Sequence, residues 1–150
     1  MTTSAPILDL TNVCRFLLAG EAKFTLVSKV SGERKTFLVE HAKATEKFPE
    51  GWMVKLLVGP DNGSDYRYIG IIRVGNGIAN FFANKKGYAP EACAAFAWFV
   101  RLINARRNDR FNEQAEFWHS GFCARCGREL TDPESIASGL GPVCREKGGF

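Results

Sequence analysis

The sequence lacks the features that mark several large classes of protein. No stretch approaches the roughly 20 apolar residues of a transmembrane helix, and the N-terminus, MTTSAPILDL, lacks the basic segment and apolar run of a secretion signal. Only 2 histidines occur in 150 residues, and no Walker loop, HExxH, GxSxG or zinc-deaminase motif is present. Because no catalytic constellation is found, we expect a non-enzymatic protein.

The 5 cysteines are an odd number, which does not suit a fully disulfide-bonded protein. Without a secretion signal, this usage predicts a reducing compartment, the cytoplasm, where thiols bind metals more often than they pair. Cys14 and Cys93 lie inside apolar helical patterns and are expected to be core thiols. The other three cysteines lie close to the C-terminus.

Cys123 and Cys126 form a CxxCG knuckle, whose spacing lets two thiolates bind one ion. Cys144, which seventeen residues separate from Cys126, is the expected third ligand. His119, which three residues separate from Cys123, is the best fourth ligand. These residues predict one structural Zn²⁺ held by three thiolates and one imidazole.

Other interpretations of this segment remain open. Asp132, Glu146 or water could replace His119 as the fourth ligand, and the three cysteines could be unrelated buried thiols. The residues between the ligands favour zinc. Thr131-Asp132-Pro133-Glu134 is typical of a helix start, and SGLGPV, residues 138–143, is typical of a turn that brings Cys144 back. A segment with so few apolar residues needs such a staple to fold.

Residues 118–144, WHSGFCARCGRELTDPESIASGLGPVC, resemble the C-terminal zinc module of a family of small bacteriophage proteins. The shared pattern is W-H, CxxCGRxLT, PxSI and GxGPxC. The resemblance extends to FTLVSKVSG, residues 24–32, and LLVGPDNGSDYRYIG, residues 56–70. It implies zinc binding and a phage origin, and therefore the cytoplasm of a host cell, but it implies no agreed activity.

The rest of the chain predicts an α+β fold. We expect a body at residues 1–117, with a zinc-binding module at 118–150 docked on it through Phe111, Phe117 and Trp118. Alternating apolar residues and turn signals predict an antiparallel sheet of about five strands. The predicted strands are 23–29, 35–40, 52–58, 66–74 and 78–84, and the predicted helices are 8–19 and 90–107. Residues 41–51 are predicted to be a loop or a partly helical excursion. Residues 108–117 are predicted to link the body to the zinc-binding module.

A long helix that begins at Pro90 and is this apolar is expected to cover one face of the sheet. Asn76-Gly77 predicts a tight hairpin turn, not a dinucleotide loop, because a strand follows it. His41 is expected to be a solvated surface residue.

The net charge of +4 falls entirely in residues 1–118, since four basic and four acidic residues balance in 119–150. This mild excess permits nucleic-acid contact. Tyr66 and Tyr68 are expected on one face of a strand, where bases can stack. Basic residues predicted to contact phosphates are Lys85, Lys86, Arg101, Arg106, Arg107 and Arg110 along a rim, and Arg125 and Arg128 beside the knuckle.

Each of these residues also has a purely structural interpretation. Tyrosines on strands are usually packed, and arginines at a helix end usually complement the dipole. The expected function is a non-enzymatic, zinc-binding phage accessory protein that contacts nucleic acid or a nucleoprotein. The alternative is an inhibitor that binds a host protein, for anti-defence or host takeover.

Overall fold

The computed structural model describes residues 5–6, 10–60, 64–119 and 140. In these residues the chain forms one antiparallel sheet and three helices. The strands are β1 (Ala5–Pro6), β2 (Glu21–Ser28), β3 (Arg34–Ala42), β4 (Gly51–Leu57), β5 (Tyr66–Gly75), β6 (Ile78–Ala83) and β7 (Ala115–His119). The helices are α1 (Leu10–Leu17), α2 (Pro90–Ala105) and α3 (Asn108–Gln114). In these ranges no helix is both long and apolar enough to cross a membrane.

The strand order is β1-β7-β2-β3-β4-β5-β6, and every pair is antiparallel. Strands β2 to β6 form a meander in which each pairs with the next along the chain. After α2 and α3 the chain returns to the edge of the sheet opposite β6, where β7 pairs with β2 and with β1. The predicted α+β class and the antiparallel sheet are confirmed.

The core lies between the helices and one face of the sheet and is rich in phenylalanine. Phe24 of β2 is stacked on Phe117 of β7, with ring centroids 4.5 Å apart. Phe96 and Phe99 of α2 are fully buried against these strands. Phe16 of α1 meets the ring of Phe117 edge-on at 5.5 Å. Helices α1 and α2 therefore cover the same sheet face, as predicted for the long helix.

The hairpin turns follow the predicted glycine chemistry. Asn76 and Gly77 have φ angles of 54° and 76°, which is the geometry of a two-residue turn with both residues in the left-handed region. Gly32 has φ 77° in the turn between β2 and β3. The loop between β3 and β4 contains bends and no helix, so the loop interpretation is correct and the helical excursion is not.

The C-terminal part of the body differs from the prediction. Residues 108–117, expected to be a link, contain α3 and most of β7, and the part of the chain that the structure describes forms six full strands plus the two-residue β1. The expected boundary between residues 117 and 118 cuts through β7. Phe111 and Phe117, which were expected to anchor the module, are fully buried in the core of the body; residues 120–139 and 141–150 lie outside the described ones, so the docking of the module stays a prediction. Helix α2 ends at Ala105 instead of Arg107.

A bulge in β5 shapes the sheet near its N-terminal end. Val54 pairs with Gly70, but the next residue, Lys55, pairs with Tyr68, so Ile69 is the extra residue. Gly70 is required there, because a Cβ atom would lie 2.5 Å from both the Phe81 ring and the Phe82 carbonyl oxygen. Phe81 in turn packs on Phe96, with ring centroids 4.9 Å apart.

Candidate nucleic-acid interface and zinc ligands

The loop from Asn84 to Tyr88 is held in place by the Asn84 side chain. Its Nδ2 group donates to the carbonyl oxygens of Ile69 at 2.9 Å and Tyr88 at 2.8 Å. Its Oδ1 atom accepts from the Tyr88 N–H at 2.8 Å. One half-buried amide thus closes the loop on itself and fastens it to β5, so that Lys85 and Lys86 project from a fixed backbone.

The bulge in β5 supplies the anchoring point. The carbonyl oxygen of Ile69, the extra residue of the bulge, accepts from the backbone N–H of Asn84 at 2.8 Å as well as from its side chain. The Cys93 thiol of α2 also lies 3.4 Å from this oxygen. Because bulges re-aim neighbouring side chains, this one sets the position of Tyr68 relative to the loop.

Together, β5 and this loop form an open groove of about 740 Å³. Its lining residues are Arg67, Tyr68, Asn84, Lys85, Lys86 and Tyr88. Tyr68 is 44% exposed and Tyr88 is 39% exposed. The groove therefore combines two accessible aromatic rings with three cationic groups, and none of these lining residues is acidic.

Three of the predicted contact residues are brought together here: Tyr68, Lys85 and Lys86. Arg67, Tyr88 and Asn84 were not predicted as contacts, although Tyr88 lies only two residues after Lys86 in the loop. Tyr66 lies next to Leu57 on β4 and outside the groove lining. It is half-buried, and burial raises the pKa of its phenol above the usual 10.0. Of the two tyrosines predicted to stack bases, only Tyr68 lines the groove, and the second exposed tyrosine there is Tyr88.

The predicted basic rim is not continuous. Lys85 and Lys86 precede the N-terminus of α2, whereas Arg106, Arg107 and Arg110 lie at or beyond its C-terminus. The 16 residues of α2 span about 24 Å, so these groups form two separate clusters. Arg101 is exposed on the last turns of α2, nearer the second cluster.

His119, the predicted fourth zinc ligand, is the last residue of β7. Its side chain is 1% exposed on the core-facing side of the sheet, beside Phe24 in register and 6.0 Å from the Phe16 ring. Zinc binds the neutral form of an imidazole. Cys123 follows four residue steps later, so the chain between the two residues spans at most about 14 Å.

Cys123, Cys126 and Cys144, together with Arg125 and Arg128, lie outside the described residues. Within residues 5–6, 10–60, 64–119 and 140, no three His, Cys, Asp or Glu side chains are grouped to hold a metal. Leu140 is the only described residue after His119, and it is 1% exposed and belongs to the core cluster. The C-terminal segment therefore contributes at least one side chain to the core of the body.

The remaining thiols and the second histidine have structural surroundings. Cys93 is buried, and burial raises the pKa of its thiol, against the lowering effect of hydrogen bonds from Asn84. Cys14 is only half-buried and lies at the edge of a cavity, so it is not a fully buried core thiol. His41 does not stand alone on the surface: its Nε2 atom lies 2.7 Å from a Glu50 oxygen, and its ring packs on Trp52.

Comparison with known proteins finds similarity in the C-terminal quarter of the chain. The pattern of a family described as a "Family of unknown function (DUF6011)" matches residues 113–149. This range begins at the end of α3 and contains β7, His119 and all three knuckle-segment cysteines. No curated protein and no solved structure matches the chain. The comparison thus groups the predicted zinc ligands within one family segment and assigns them no activity.

Proposed function

We propose that this is a non-enzymatic, zinc-stapled protein that binds single-stranded nucleic acid, with the groove of Arg67, Tyr68, Lys85, Lys86 and Tyr88 as its contact surface. The observation that carries the proposal is the meeting of Tyr68 with the Lys85–Tyr88 loop in one groove. Unpaired bases stack on exposed aromatic rings, and lysine and arginine side chains bind the phosphates beside them.

The rigidity of the loop supports this function. Loops that bind charged polymers lose side-chain and backbone freedom on binding, which weakens affinity. Asn84 removes much of that cost in advance, because its amide fixes both ends of the loop. The loop therefore presents both lysines from a backbone that is fixed relative to β5, the strand of Tyr68.

In this proposal the zinc segment has a structural role. His119, Cys123, Cys126 and Cys144 would hold one Zn²⁺, whose binding energy would fold a segment that is poor in apolar residues. Burial of His119 and Leu140 in the body supports a docked arrangement. The resemblance to phage proteins favours an activity in the cytoplasm of an infected host cell, on nucleic acid or a nucleoprotein.

Fluorescence polarisation with labelled single-stranded and double-stranded oligonucleotides at two salt concentrations tests the proposal. We expect tighter binding to the single strand. Tyr68→Ala should weaken that binding by about 1–3 kcal/mol, whereas Tyr68→Phe, which keeps the stacking ring, should bind nearly as the wild type does. Equal losses in the two variants would exclude stacking on Tyr68.

The lysines are tested by a matched pair of double variants. Lys85→Ala with Lys86→Ala should weaken binding and flatten the salt dependence by about 1.4 units, if both contact phosphates of a single strand. Lys43→Ala with Lys47→Ala makes the same charge change on exposed lysines of the β3–β4 loop and should leave the slope almost unchanged. Equal effects of the two pairs would show nonspecific attraction only.

The alternative function is inhibition of a host protein, and it predicts that the protein does not bind oligonucleotides. If no oligonucleotide binds at low salt, the groove proposal is wrong. A pull-down from host lysate before and after nuclease treatment then decides the matter, because a protein partner survives the nuclease and a nucleoprotein contact does not.

A further inference from the structure

A cavity lies at the opposite end of α2 from the groove. It has a volume of about 630 Å³, which is within the range of about 300–1,000 Å³ that small-molecule sites occupy. Its walls come from α1, the turn between β5 and β6, and the end of α2. The nucleic-acid proposal does not use this cavity.

Apolar and charged residues are separated within the cavity. Leu10, Leu18 and Ile103 form its floor and are at most 7% exposed. Ile78 lies at the rim and is 50% exposed. A molecule on this floor would bury apolar surface, which is favourable by about 25 cal/mol per Å².

The rim of the same cavity is cationic. Arg106, which is exposed, and Arg15, which is half-buried, both line it, and none of the described residues that line it is acidic. Arg106 and Cys14 line the same cavity; burial raises the pKa of the Cys14 thiol, and the charge of Arg106 lowers that pKa by less.

The backbone fixes where Arg106 leaves the helix. It has φ 53° and ψ 41°, in the left-handed region, and its N–H donates to the Ile103 carbonyl oxygen at 3.2 Å. The next N–H, of Arg107, donates to Leu102 at 3.2 Å. Glycine is the usual residue in this position of a helix end. An arginine in its place accepts backbone strain while its side chain lines a cavity.

We propose that this cavity binds a small amphipathic anion, an aliphatic or aryl carboxylate, with its charge at Arg106 and its apolar part on Leu10, Leu18 and Ile103. A nucleic-acid backbone fits less well, because it has no apolar segment to place on the floor. The site is separate from the groove, so each can fail without the other.

Isothermal titration with decanoate, below its micelle concentration, tests the site on the full-length protein. We expect saturable binding with one site, and at least about tenfold weaker binding of decanamide, which has the same chain without the charge. Arg106→Ala should weaken decanoate binding by a similar factor, and Arg106→Lys should restore part of it. Arg107→Ala removes a neighbouring exposed charge outside the cavity and should have little effect.

Cys14 gives a second, independent readout. Because its thiol lines the cavity, decanoate should slow its alkylation by iodoacetamide, measured by peptide mass spectrometry, and should not slow alkylation of the buried Cys93. The proposal is overturned if decanoate neither binds saturably nor protects Cys14. It is equally overturned if decanamide binds as well as decanoate, or if the alanine variants at positions 106 and 107 lose the same affinity.

Discussion

The side-chain amide of Asn104 makes both hydrogen bonds of the Ala79 backbone. The Ala79 N–H donates to Oδ1 at 3.1 Å, and Nδ2 donates to the Ala79 carbonyl oxygen at 2.7 Å. Ala79 lies on β6, the last strand of the sheet order. Asn104 of α2 therefore occupies a position that the backbone of a further strand would otherwise take, and it fastens the helix to the sheet edge.

Asn104→Ala should lower the free energy of unfolding by about 1–3 kcal/mol, because it leaves two backbone groups without their partners. Urea denaturation measures this change. Asn80→Ala, on the exposed face of the same strand, is the control and should cost less than about 0.5 kcal/mol. Asn104→Ala also exposes the backbone edge of β6. We therefore expect Asn104→Ala to self-associate at concentrations where the wild type does not. Equal stability of the two variants would contradict this role of Asn104.

Gly70→Ala should destabilise the protein by about 1–3 kcal/mol. The new methyl group would meet the Phe81 ring and the Phe82 carbonyl oxygen at 2.5 Å, and that ring is already packed on Phe96. Gly75→Ala is a matched control on the same strand, because its new methyl group would enter open space with nothing within 4 Å, and its φ is ordinary. The test compares the urea midpoints of Gly70→Ala and Gly75→Ala. Equal midpoints would show that the residues around Gly70 can shift to make room for a methyl group.

Ala89→Gly should raise the free energy of unfolding by about 1 kcal/mol. Ala89 has φ 53° and ψ 58° just before Pro90, and a left-handed conformation is unfavourable for any residue with a Cβ atom. Ala94→Gly, at an exposed position inside α2, should have the opposite sign and cost about 1 kcal/mol. Thermal denaturation of both variants tests these opposite signs. If both variants are destabilised, the backbone of Ala89 is not strained.

The local parts of this fold could be predicted from sequence, and the non-local parts could not. Strands β2 to β6 follow from alternation and turn residues within short windows, because each pairs with its neighbour in the chain. β7 was missed although Ala115, Phe117 and His119 alternate, because the strand is only 5 residues long and its partner β2 lies far away in the chain.

The candidate site divides in the same way. Tyr68, Lys85 and Lys86 carry chemistry that the sequence shows directly. Their meeting in one groove depends on the bulge at Ile69 and on the amide of Asn84, which are tertiary features. The division of the basic residues into two clusters likewise follows only from the direction and length of α2.

Stability should fall in alkaline solution, partly because of Cys93. Burial raises the pKa of this thiol above its ordinary 9.0, so the unfolded chain loses the proton at lower pH than the folded chain does. The resulting stabilisation is complete below about pH 9 and is lost as pH rises through the folded pKa. Urea denaturation from about pH 7.5 to 10.5 should therefore show a shallower decline for Cys93→Ala than for the wild type, whereas parallel curves would contradict this contribution.

Metal removal should affect the body as well as the C-terminal segment. We expect one zinc per chain by elemental analysis of freshly purified protein, and its loss in Cys126→Ser. Because Leu140 is 1% exposed in the core, release of that segment should also destabilise the body, by an amount near the 2–5 kcal/mol typical of a buried leucine truncated to alanine.

Two further variants separate the metal from the packing. Leu140→Ala should produce a similar loss of stability while retaining zinc, and Cys14→Ser, which alters a half-buried thiol outside the proposed ligand set, should retain zinc as well. Hydrogen exchange should show lost protection after His119 in Cys126→Ser and retained protection in β2 to β6, because those strands have their own core. Zinc-free wild-type protein would refute the metal site. A Cys126→Ser variant with undiminished stability would instead show that Leu140 stays in the core without the metal.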